Sequence, residues 1–337
     1  MTEVERSPWT DPTWLASFTD WVETELRILG REVQGPPAQP HVRPWSTVLR
    51  FETDQGPVWA KAPRSSNAYE ARLLPAMVGW GVGSVIPPLA VEETNGWFLL
   101  EDGGPTLRQT RPDGTGDADL DAWQAILVTY ADLQRTIGDH AADLLRLGVP
   151  DGRPATLAPT MAGIVEDDAW WELVGPDERT ESDAARARLR GMGSWVAARA
   201  RELEASGIAD SIQHDDLHGG NVFVGPTGIR FFDWGDAVVA HPFGTMVTTL
   251  NSVAYRLDTT ADDGRLRPLR DAYLEAWTDV LPRPALEEVL DVVLDVGRIG
   301  KAAAWAKALS GLEPSEMGGH GDAPALWLTD LVERVSR

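Results

Sequence analysis

The chain of 337 residues contains no cysteine, which excludes disulfide bonds and thiolate metal sites. It also lacks any apolar stretch approaching the ~18 uncharged residues that a transmembrane helix requires. Basic residues are scarce, because 30 lysines and arginines stand against 52 acidic residues and give a net charge of −22. Proteins that bind nucleic acid carry basic patches, so this balance argues against such a partner.

The remaining composition is that of a globular protein. Apolar residues make up 43% of the chain and charged residues 24%. The first twelve residues, MTEVERSPWTDP, are acidic and polar, so we expect no signal peptide and a cytoplasmic protein without a membrane partner. The length allows one large domain or two lobes, in a monomer or a homodimer.

The most informative stretch of the chain is Gln213–Asp236. Two short apolar runs, Asn221–Val224 and Ile229–Phe232, flank the turn segment Gly225–Gly228. This pattern predicts a β-hairpin that follows an acidic, histidine-rich loop.

Polar side chains gather at one end of this hairpin. The predicted pairing brings Asn221 and Asp233 together, beside the loop that carries His214, Asp216 and His218. Carboxylate and amide oxygens are the ligands that Mg²⁺ prefers. The hairpin therefore predicts a magnesium site formed by Asn221 and Asp233.

The spacing of these residues indicates a phosphotransferase. His214-x-Asp216, Asn221 five residues later, and then Asp233-x-Gly235 follow the kinase order H-x-D-x-x-x-x-N and D-x-G. In that chemistry the first Asp accepts the proton of the acceptor hydroxyl. The Asn and the second Asp hold Mg²⁺ on the nucleotide phosphates.

Two other interpretations of the loop remain open at this point. Acidic loops are commonly just solvated, so a lone H-D-D-L-H would not indicate a site. His214, Asp216 and His218 could also bind Zn²⁺ in a metallohydrolase. The zinc interpretation leaves Asn221 and Asp233 without roles.

A second group of candidate residues lies near the N-terminus. Thr47–Thr53 and Pro57–Ala62 are predicted to pair as strands, with Lys61 near the end of the second. Glu70 opens a predicted helix, Tyr69–Trp80. A lysine that reaches the nucleotide phosphates and a helix glutamate that orients it form the pair that a nucleotide-binding lobe needs.

The loop and hairpin resemble the aminoglycoside phosphotransferase and choline kinase-like family, whose loop reads H-G-D-x-H-x-x-N. Here Asp215 replaces the glycine, while His214, Asp216, His218 and Asn221 fit the pattern. The resemblance implies an α+β, bilobal, protein-kinase-like fold. A small β-rich N-lobe, residues 1–102, would bind the nucleotide, and a larger helical C-lobe, residues 103–337, would carry catalysis and acceptor binding.

The resemblance also implies where ATP would bind. Strands predicted at Val85–Leu89 and Trp97–Glu101 correspond to the family's hinge, where the backbone near Glu101 and Asp102 would meet adenine. No G-x-G-x-x-G precedes Lys61. We therefore expect Ser46 and Thr47 to supply donors to the phosphates.

Most of the chain after residue 103 is predicted to be helical. The predicted helices, in addition to Asp11–Gly30 before the first strand, are Asp119–Gly138, Thr160–Leu173, Asp183–Ser206, Gly244–Leu257, Arg265–Leu281, Pro284–Ser310 and Ala323–Val335. Gly311–Asp322 is predicted to be a flexible loop, and the proline-rich segment Gly35–Pro40 is predicted to be a stiff linker. Phe243 follows Asp233 by only ten positions, which leaves no room for a protein kinase activation loop and favours a small-molecule acceptor.

The expected acceptor carries an amine. Asp215, Asp216 and Asp236 would focus a negative potential at the mouth of the loop. His218 and Trp305, with Trp171 as a further aromatic, are the other candidate acceptor contacts. His241 stands where the family usually has Asp in G-D-P, so the role of that acid is open here. The rival hypothesis from another class is an inactive nucleotide-binding pseudokinase scaffold.

Overall fold

The computed structural model describes residues 8–111, 115–226 and 228–336. Its N-terminal part is a five-stranded antiparallel sheet with the strand order β1-β2-β3-β5-β4. The strands are β1 Ala38–Arg43, β2 Ser46–Phe51, β3 Val58–Pro63, β4 Ala90–Glu92 and β5 Trp97–Glu101.

Alternation of side chains along β3 decides which face of the sheet is buried. Val58, Ala60 and Ala62 are fully buried, while Trp59 and Lys61 point to the other face. Helix α1, Pro12–Ile28, begins at the cap Asp11, whose side chain accepts two backbone N–H groups. Its apolar stripe, with Phe18, Val22 and Leu26, packs in one core with β2, β3 and β5. Lys61 therefore points away from this core, into a cleft that Asp216 and Asp233 also line.

Two predictions in this region are wrong. The expected strand Val85–Leu89 makes only a single bridge, from Val85 to Phe231, and the edge strand is β4. Pro87 and Pro88 explain this, because proline has no N–H for a ladder. The expected stiff linker Gly35–Pro40 instead enters β1 at Ala38, where an edge strand tolerates a proline.

The remainder of the described chain is mainly helical, as expected for the α+β class. After α2, Glu70–Gly79, the helices are α3 Leu120–Ile137, α4 Ala141–Leu147, α5 Leu157–Glu166, α6 Asp168–Glu172, α7 Arg179–Leu189, α8 Gly193–Ala205, α9 Thr245–Arg256, α10 Arg267–Glu275, α11 Arg283–Leu309 and α12 Ala323–Arg334. None of the helices in the described ranges is long and apolar enough to cross a membrane.

Two predicted helices are each divided in the structure. Asp183–Ser206 becomes α7 and α8, because Gly191 and Gly193 weaken the helix between them. Thr160–Leu173 is interrupted at Asp167, whose side chain accepts the N–H of Ala169 and so caps a new helix, α6. The predicted loop Gly311–Asp322 contains a short 3₁₀ turn, Pro314–Glu316.

The predicted hairpin forms. Strands β7, Val222–Gly225, and β8, Gly228–Phe231, are antiparallel with Val222 opposite Phe231. Thr227 of the predicted turn lies outside the described residues. Strands β6, Ser211–Gln213, and β9, Val238–Ala240, form another pair that encloses the hairpin in sequence. The loop before β7 is therefore anchored at both ends.

Candidate active site

Lys61 lies between two carboxylates that come from distant parts of the chain. Its Nζ donates to Glu70 Oε2 at 2.6 Å and to Asp233 Oδ1 at 2.6 Å. Glu70 is almost completely buried, whereas about half of the Asp233 side chain is exposed. The structure brings these three predicted residues together.

The two neighbouring carboxylates keep the Lys61 side chain protonated. Burial on its own lowers the pKa of Lys61, but the charges of Asp233 and Glu70 outweigh it and raise that pKa above its usual value. Burial raises the pKa of Glu70 and opposes its pairing with Lys61. Burial also acts on Asp233, yet the Lys61 charge holds the pKa of Asp233 below its usual value.

His214 braces the loop with both of its ring nitrogens. Nε2 lies 2.8 Å from the carbonyl of Phe232, and Nδ1 accepts the N–H of Asp216 at 3.4 Å. A neutral ring with the proton on Nε2 satisfies both contacts. Burial lowers the pKa of His214, in agreement with a neutral ring. The OH of Tyr130 accepts the N–H of His214 at 2.7 Å.

Asp216 has partners on both sides. Its Oδ2 lies 3.4 Å from His218 Nε2 and accepts from Asn221 Nδ2 at 3.1 Å. Burial favours a raised pKa for Asp216, but the hydrogen bond from His218 and the charge of Lys301 hold it well below its usual range. Asp216 therefore remains ionised at neutral pH.

The donors present fit Mg²⁺ and not Zn²⁺. Because both nitrogens of His214 are used within the protein, this residue does not join Asp216 and His218 around a zinc ion. Within the described ranges no group of three or more His, Cys, Asp or Glu side chains could hold a metal. The Asn221 amide instead donates through Nδ2 to Asp216, which leaves its oxygen available to a hard cation. Asn221 and Asp233 as magnesium ligands stay a prediction.

The predicted nucleotide contacts have mixed outcomes. Ser46 lines the cleft with Lys61, Asp216 and Asp233. Thr47 does not, because strand alternation buries it and its hydroxyl donates to the carbonyl of His41 at 2.8 Å. The prediction of Thr47 as a phosphate donor is therefore wrong.

The hinge residues make contacts within the protein. The Glu101 carboxylate accepts from Arg31 at 2.5 Å, and Asp102 accepts from Trp59 Nε1 at 3.2 Å. Asp102 also accepts the N–H of Gly104 at 2.7 Å, which fixes the turn after β5. Their side chains are thus engaged in structure. Adenine recognition by the backbone here stays a prediction, as does the lobe boundary near residue 103.

Of the aromatic candidates, Trp305 lines the cleft and Trp171 does not. The Trp305 ring lies 6.0 Å from Trp45 and 5.0 Å from His320, and Trp45 lines the same cleft. Trp171 is buried, and its Nε1 donates to the carbonyl of Ile164 at 3.0 Å. It belongs to the core because it faces α5.

Comparison with known proteins agrees with this geometry. The sequence profile of the phosphotransferase enzyme family matches residues 47–280, more than half of the chain. The chain belongs to the phosphotransferase enzyme family. It is a small-molecule kinase of that family. Comparison with curated proteins gives no match.

Solved structures show the same kinase-like fold at low identity. An ethanolamine kinase from Plasmodium vivax has 12% identity and a TM-score of 0.64, over 97% of this chain and 91% of its own. An amicoumacin kinase solved with AMP-PNP and Ca²⁺ has 13% identity and a TM-score of 0.57, over 96% of each chain. A macrolide 2′-phosphotransferase from Brachybacterium faecium has 16% identity and a TM-score of 0.56, over 92% and 98%.

The main departure from the phosphotransferase loop pattern is Asp215, and the structure shows how the chain accommodates it. Its φ of 59° lies in the left-handed region, which glycine adopts freely and Asp tolerates. Lys301 Nζ donates to the Asp215 carbonyl at 2.6 Å and lies 3.9 Å from its carboxylate. Gln213 and Thr248 add hydrogen bonds of 2.7 Å and 2.9 Å.

Asp215 is therefore a buried acid that is paired within the protein and does not line the cleft, and its contact with the acceptor stays a prediction. Burial raises its pKa to about 6, while Lys301 acts in the opposite direction. Asp236 differs, because it lies at the edge of the cleft and no hydrogen bond to its carboxylate is found among the described residues. Burial and the Asp216 charge raise the pKa of Asp236, against Lys307 and Lys301.

Sequence reasoning missed two lysines of this phosphotransferase site. Lys301 and Lys307 both lie on α11, and Lys307 Nζ donates to the carbonyl of Gly235 at 3.0 Å. No motif surrounds either residue. Only the i, i+4 spacing of Lys301 and Trp305, which both line the cleft, could have indicated Lys301, and no such signal exists for Lys307.

Proposed function

We propose that this enzyme transfers the γ-phosphoryl group of ATP to a hydroxyl group of a small, amine-bearing molecule. The observation that carries the proposal is the position of Asp216 in one cleft with Lys61 and Asp233, beside Asn221. These are the parts that phosphoryl transfer needs, since positioning and electrostatics supply nearly all of its catalysis.

Asp216 positions the acceptor hydroxyl. As the hydroxyl oxygen bonds to the γ-phosphorus, the bond from that phosphorus to the ADP oxygen breaks, and the hydroxyl proton passes to the Asp216 carboxylate. A carboxylate with a low pKa is a weak base. It suffices because the transition state is loose and the proton is lost late.

Lys61, Asn221 and Asp233 serve the nucleotide. A bound Mg²⁺ neutralises charge on the phosphates, and the oxygens of Asn221 and Asp233 would hold it. Lys61 contributes a fixed positive charge that Glu70 keeps in place through their 2.6 Å bond. Ser46 lies in the same cleft, where its hydroxyl can donate to a phosphate.

Asp236 supports the amine in the proposed acceptor. The charge of Lys301 offsets that of Asp215. The negative potential at the acceptor end of the cleft is therefore smaller than Asp215, Asp216 and Asp236 would give together without a cation. Asp236 keeps a carboxylate at the cleft edge, close to Asp216. An ammonium group bound there would form a charge-assisted hydrogen bond, worth roughly 1.5–3 kcal/mol.

The test is phosphate transfer from Mg-ATP to glucosamine and to N-acetylglucosamine. We expect turnover with the amine and a loss of kcat/KM of roughly tenfold or more after acetylation. Asp216→Asn protein is the control for contaminating kinases. Equal turnover of the two sugars would refute the amine, and absence of any transfer from ATP across an amino alcohol panel would refute the reaction.

The pseudokinase scaffold has less support. Lys61, Glu70, Asp216, Asn221 and Asp233 are all present and in mutual contact or in one cleft. A scaffold would bind Mg-ATP without consuming it. Slow hydrolysis of ATP with water as acceptor, lost in Asp216→Asn, separates the two.

A further inference from the structure

A second cavity, of about 240 Å³, lies directly behind the catalytic cleft. Asp236 and Ala304 line both spaces, so the cavity begins where the acceptor end of the cleft ends. Engineered cavities of ~150 Å³ hold benzene. The volume here is sufficient for a ring with a short substituent.

The walls of this cavity are mostly apolar and small. Helix α11 forms one wall with Val293, Val296, Gly300 and Ala303. Leu157 of α5 also lines the cavity. Small residues along one helix leave room beside it, and such a surface favours an apolar occupant over water.

Polar side chains also line the cavity, and Gln213, Asp215 and Lys307 among them are paired with other groups of the protein. His241 lines the cavity too and differs from these three. It is only 4% exposed, and its Nδ1 accepts the N–H of Phe243 at 3.3 Å. The ring proton therefore resides on Nε2, and this buried Nε2 has no hydrogen-bond partner in the described part of the chain. Burial lowers the pKa of His241 to about 3, so the ring is neutral at physiological pH.

A buried N–H group without a partner is costly, by an amount comparable to a lost hydrogen bond. A ligand oxygen in the cavity would remove that cost. The neutral ring offers a donor and no charge, so it suits a carbonyl or ether oxygen. It gives no advantage to an ammonium group, for which Asp236 at the entrance is the partner.

We propose, resting on the function proposed above, that this cavity binds an apolar part of the phosphate acceptor and that His241 Nε2–H donates a hydrogen bond to a carbonyl or ether oxygen on it. The acceptor class is then an amphiphile. It has a hydroxyl at Asp216, an amine near Asp236 and an apolar body beyond them. An amino sugar alone would fill only the outer half.

The test measures binding of two small probes, acetophenone and ethylbenzene, which share a ring and differ in the carbonyl oxygen. The ¹⁵N and ¹H shifts of the His241 side chain report occupancy in the full-length protein. We expect acetophenone to bind about 3- to 10-fold more tightly than ethylbenzene, the range of one neutral hydrogen bond. His241→Phe should abolish that ratio while ethylbenzene still binds, as followed by protein-observed shifts of the lining residues.

Gly300→Leu tests the cavity itself. A Cβ at Gly300 meets no atom within 4 Å, so the side chain can enter the cavity without a clash, and leucine favours the helix over glycine. We expect both probes to lose binding at least tenfold. Gly163→Leu, on an exposed and equally open position of α5, is the matched control and should bind both probes normally.

Three outcomes would overturn the inference. These are equal binding of the two probes to the parent protein, an unchanged ratio in His241→Phe, and normal probe binding in Gly300→Leu. ATP turnover is measured separately on the same samples. If the probes bind but no ATP turnover is seen, the proposed function is contradicted and the cavity as a binding site is not. If ATP is turned over but the probes do not bind, only the cavity as a binding site is contradicted.

Discussion

The phosphate side of the cleft, at Lys61, and the acceptor side, at Lys301, each set a lysine against an acidic residue, but these two acidic residues differ in their exposure to solvent. Lys61 bonds to Asp233, whose side chain is about half exposed. Lys301 bonds to the carbonyl of Asp215, which is almost wholly buried. The exposed half of the Asp233 side chain leaves it open to competition from solvent ions. On the acceptor side, Lys301 and Asp215 are both almost wholly buried and closed to such competition. We call this pair the fixed wall of the cleft.

The largest effect is expected at Asp216, where the two sides meet. Asp216→Asn should reduce transfer by about 10²–10⁴-fold, because the acceptor hydroxyl loses its proton acceptor. Nucleotide affinity should change little, since Lys61 and Asp233 remain. Single-turnover rates and Mg-nucleotide titrations measure the two quantities, and a parent-like rate would remove Asp216 from the mechanism.

The next effect tests the fixed wall. Lys301→Met leaves the Asp215 carboxylate buried without its cation, and we expect it to lower the free energy of unfolding by about 3–5 kcal/mol. Adding Asp215→Gly to that variant should recover part of the loss, because glycine adopts the φ of 59° freely. Urea unfolding of all four proteins completes the cycle. Strictly additive effects would mean that the pair is not coupled.

The pH dependence of stability sharpens the same point. The pKa of Asp215 is raised to about 6 from 3.8, which corresponds to about 3 kcal/mol. As the pH rises from about 4 to about 6, the unfolded chain loses this proton before the folded protein does, so the folded state becomes less stable. Asp215→Asn should lack this part of the slope. Unfolding curves at several pH values measure the difference, and parallel profiles would contradict it.

The smallest of these effects concerns Asp233, the half-exposed carboxylate on the phosphate side of the cleft. Asp233→Ala should weaken Mg-nucleotide binding by at least about 10–100-fold, the loss that follows even from removing outer-shell partners of a metal. Activity should fall with it and recover partly at high Mg²⁺. Stability should change little, because the side chain is half exposed. An unaltered Mg²⁺ requirement would assign Asp233 a structural role.

The phosphate side and the acceptor side of the cleft also differ in how much of each could be predicted from the sequence. The hairpin, Lys61 and Glu70 were predictable because their apolar pattern and spacing are local, and the structure brings them together. The prediction for Thr47 is wrong because alternation along β2 turns its side chain towards the buried face of the sheet, whatever its hydroxyl could donate to. The strand expected at Val85–Leu89 was wrong because two prolines outweigh an apolar run.

The acceptor side could not be predicted in this way. Lys301 lies 86 positions from Asp215, on a helix with no motif, so only tertiary structure joins them. His241 could be noted as a departure from G-D-P, but its neutral ring and unpaired Nε2 depend on burial by distant elements. A sequence pattern identifies the shared chemistry of a family more readily than the pocket that distinguishes its members.

The first turn of α2 has a consequence for how the enzyme is controlled. Glu70 accepts the N–H of Trp234 at 2.8 Å, and the neighbouring Tyr69 OH lies 2.5 Å from the carbonyl of Gly235. Moving α2 outward would break these bonds and the Lys61–Glu70 pair together, so we expect this displacement to be costly. We expect the enzyme to be constitutively competent. The rate of product formation in a cell would then follow the supply of acceptor and the amount of enzyme.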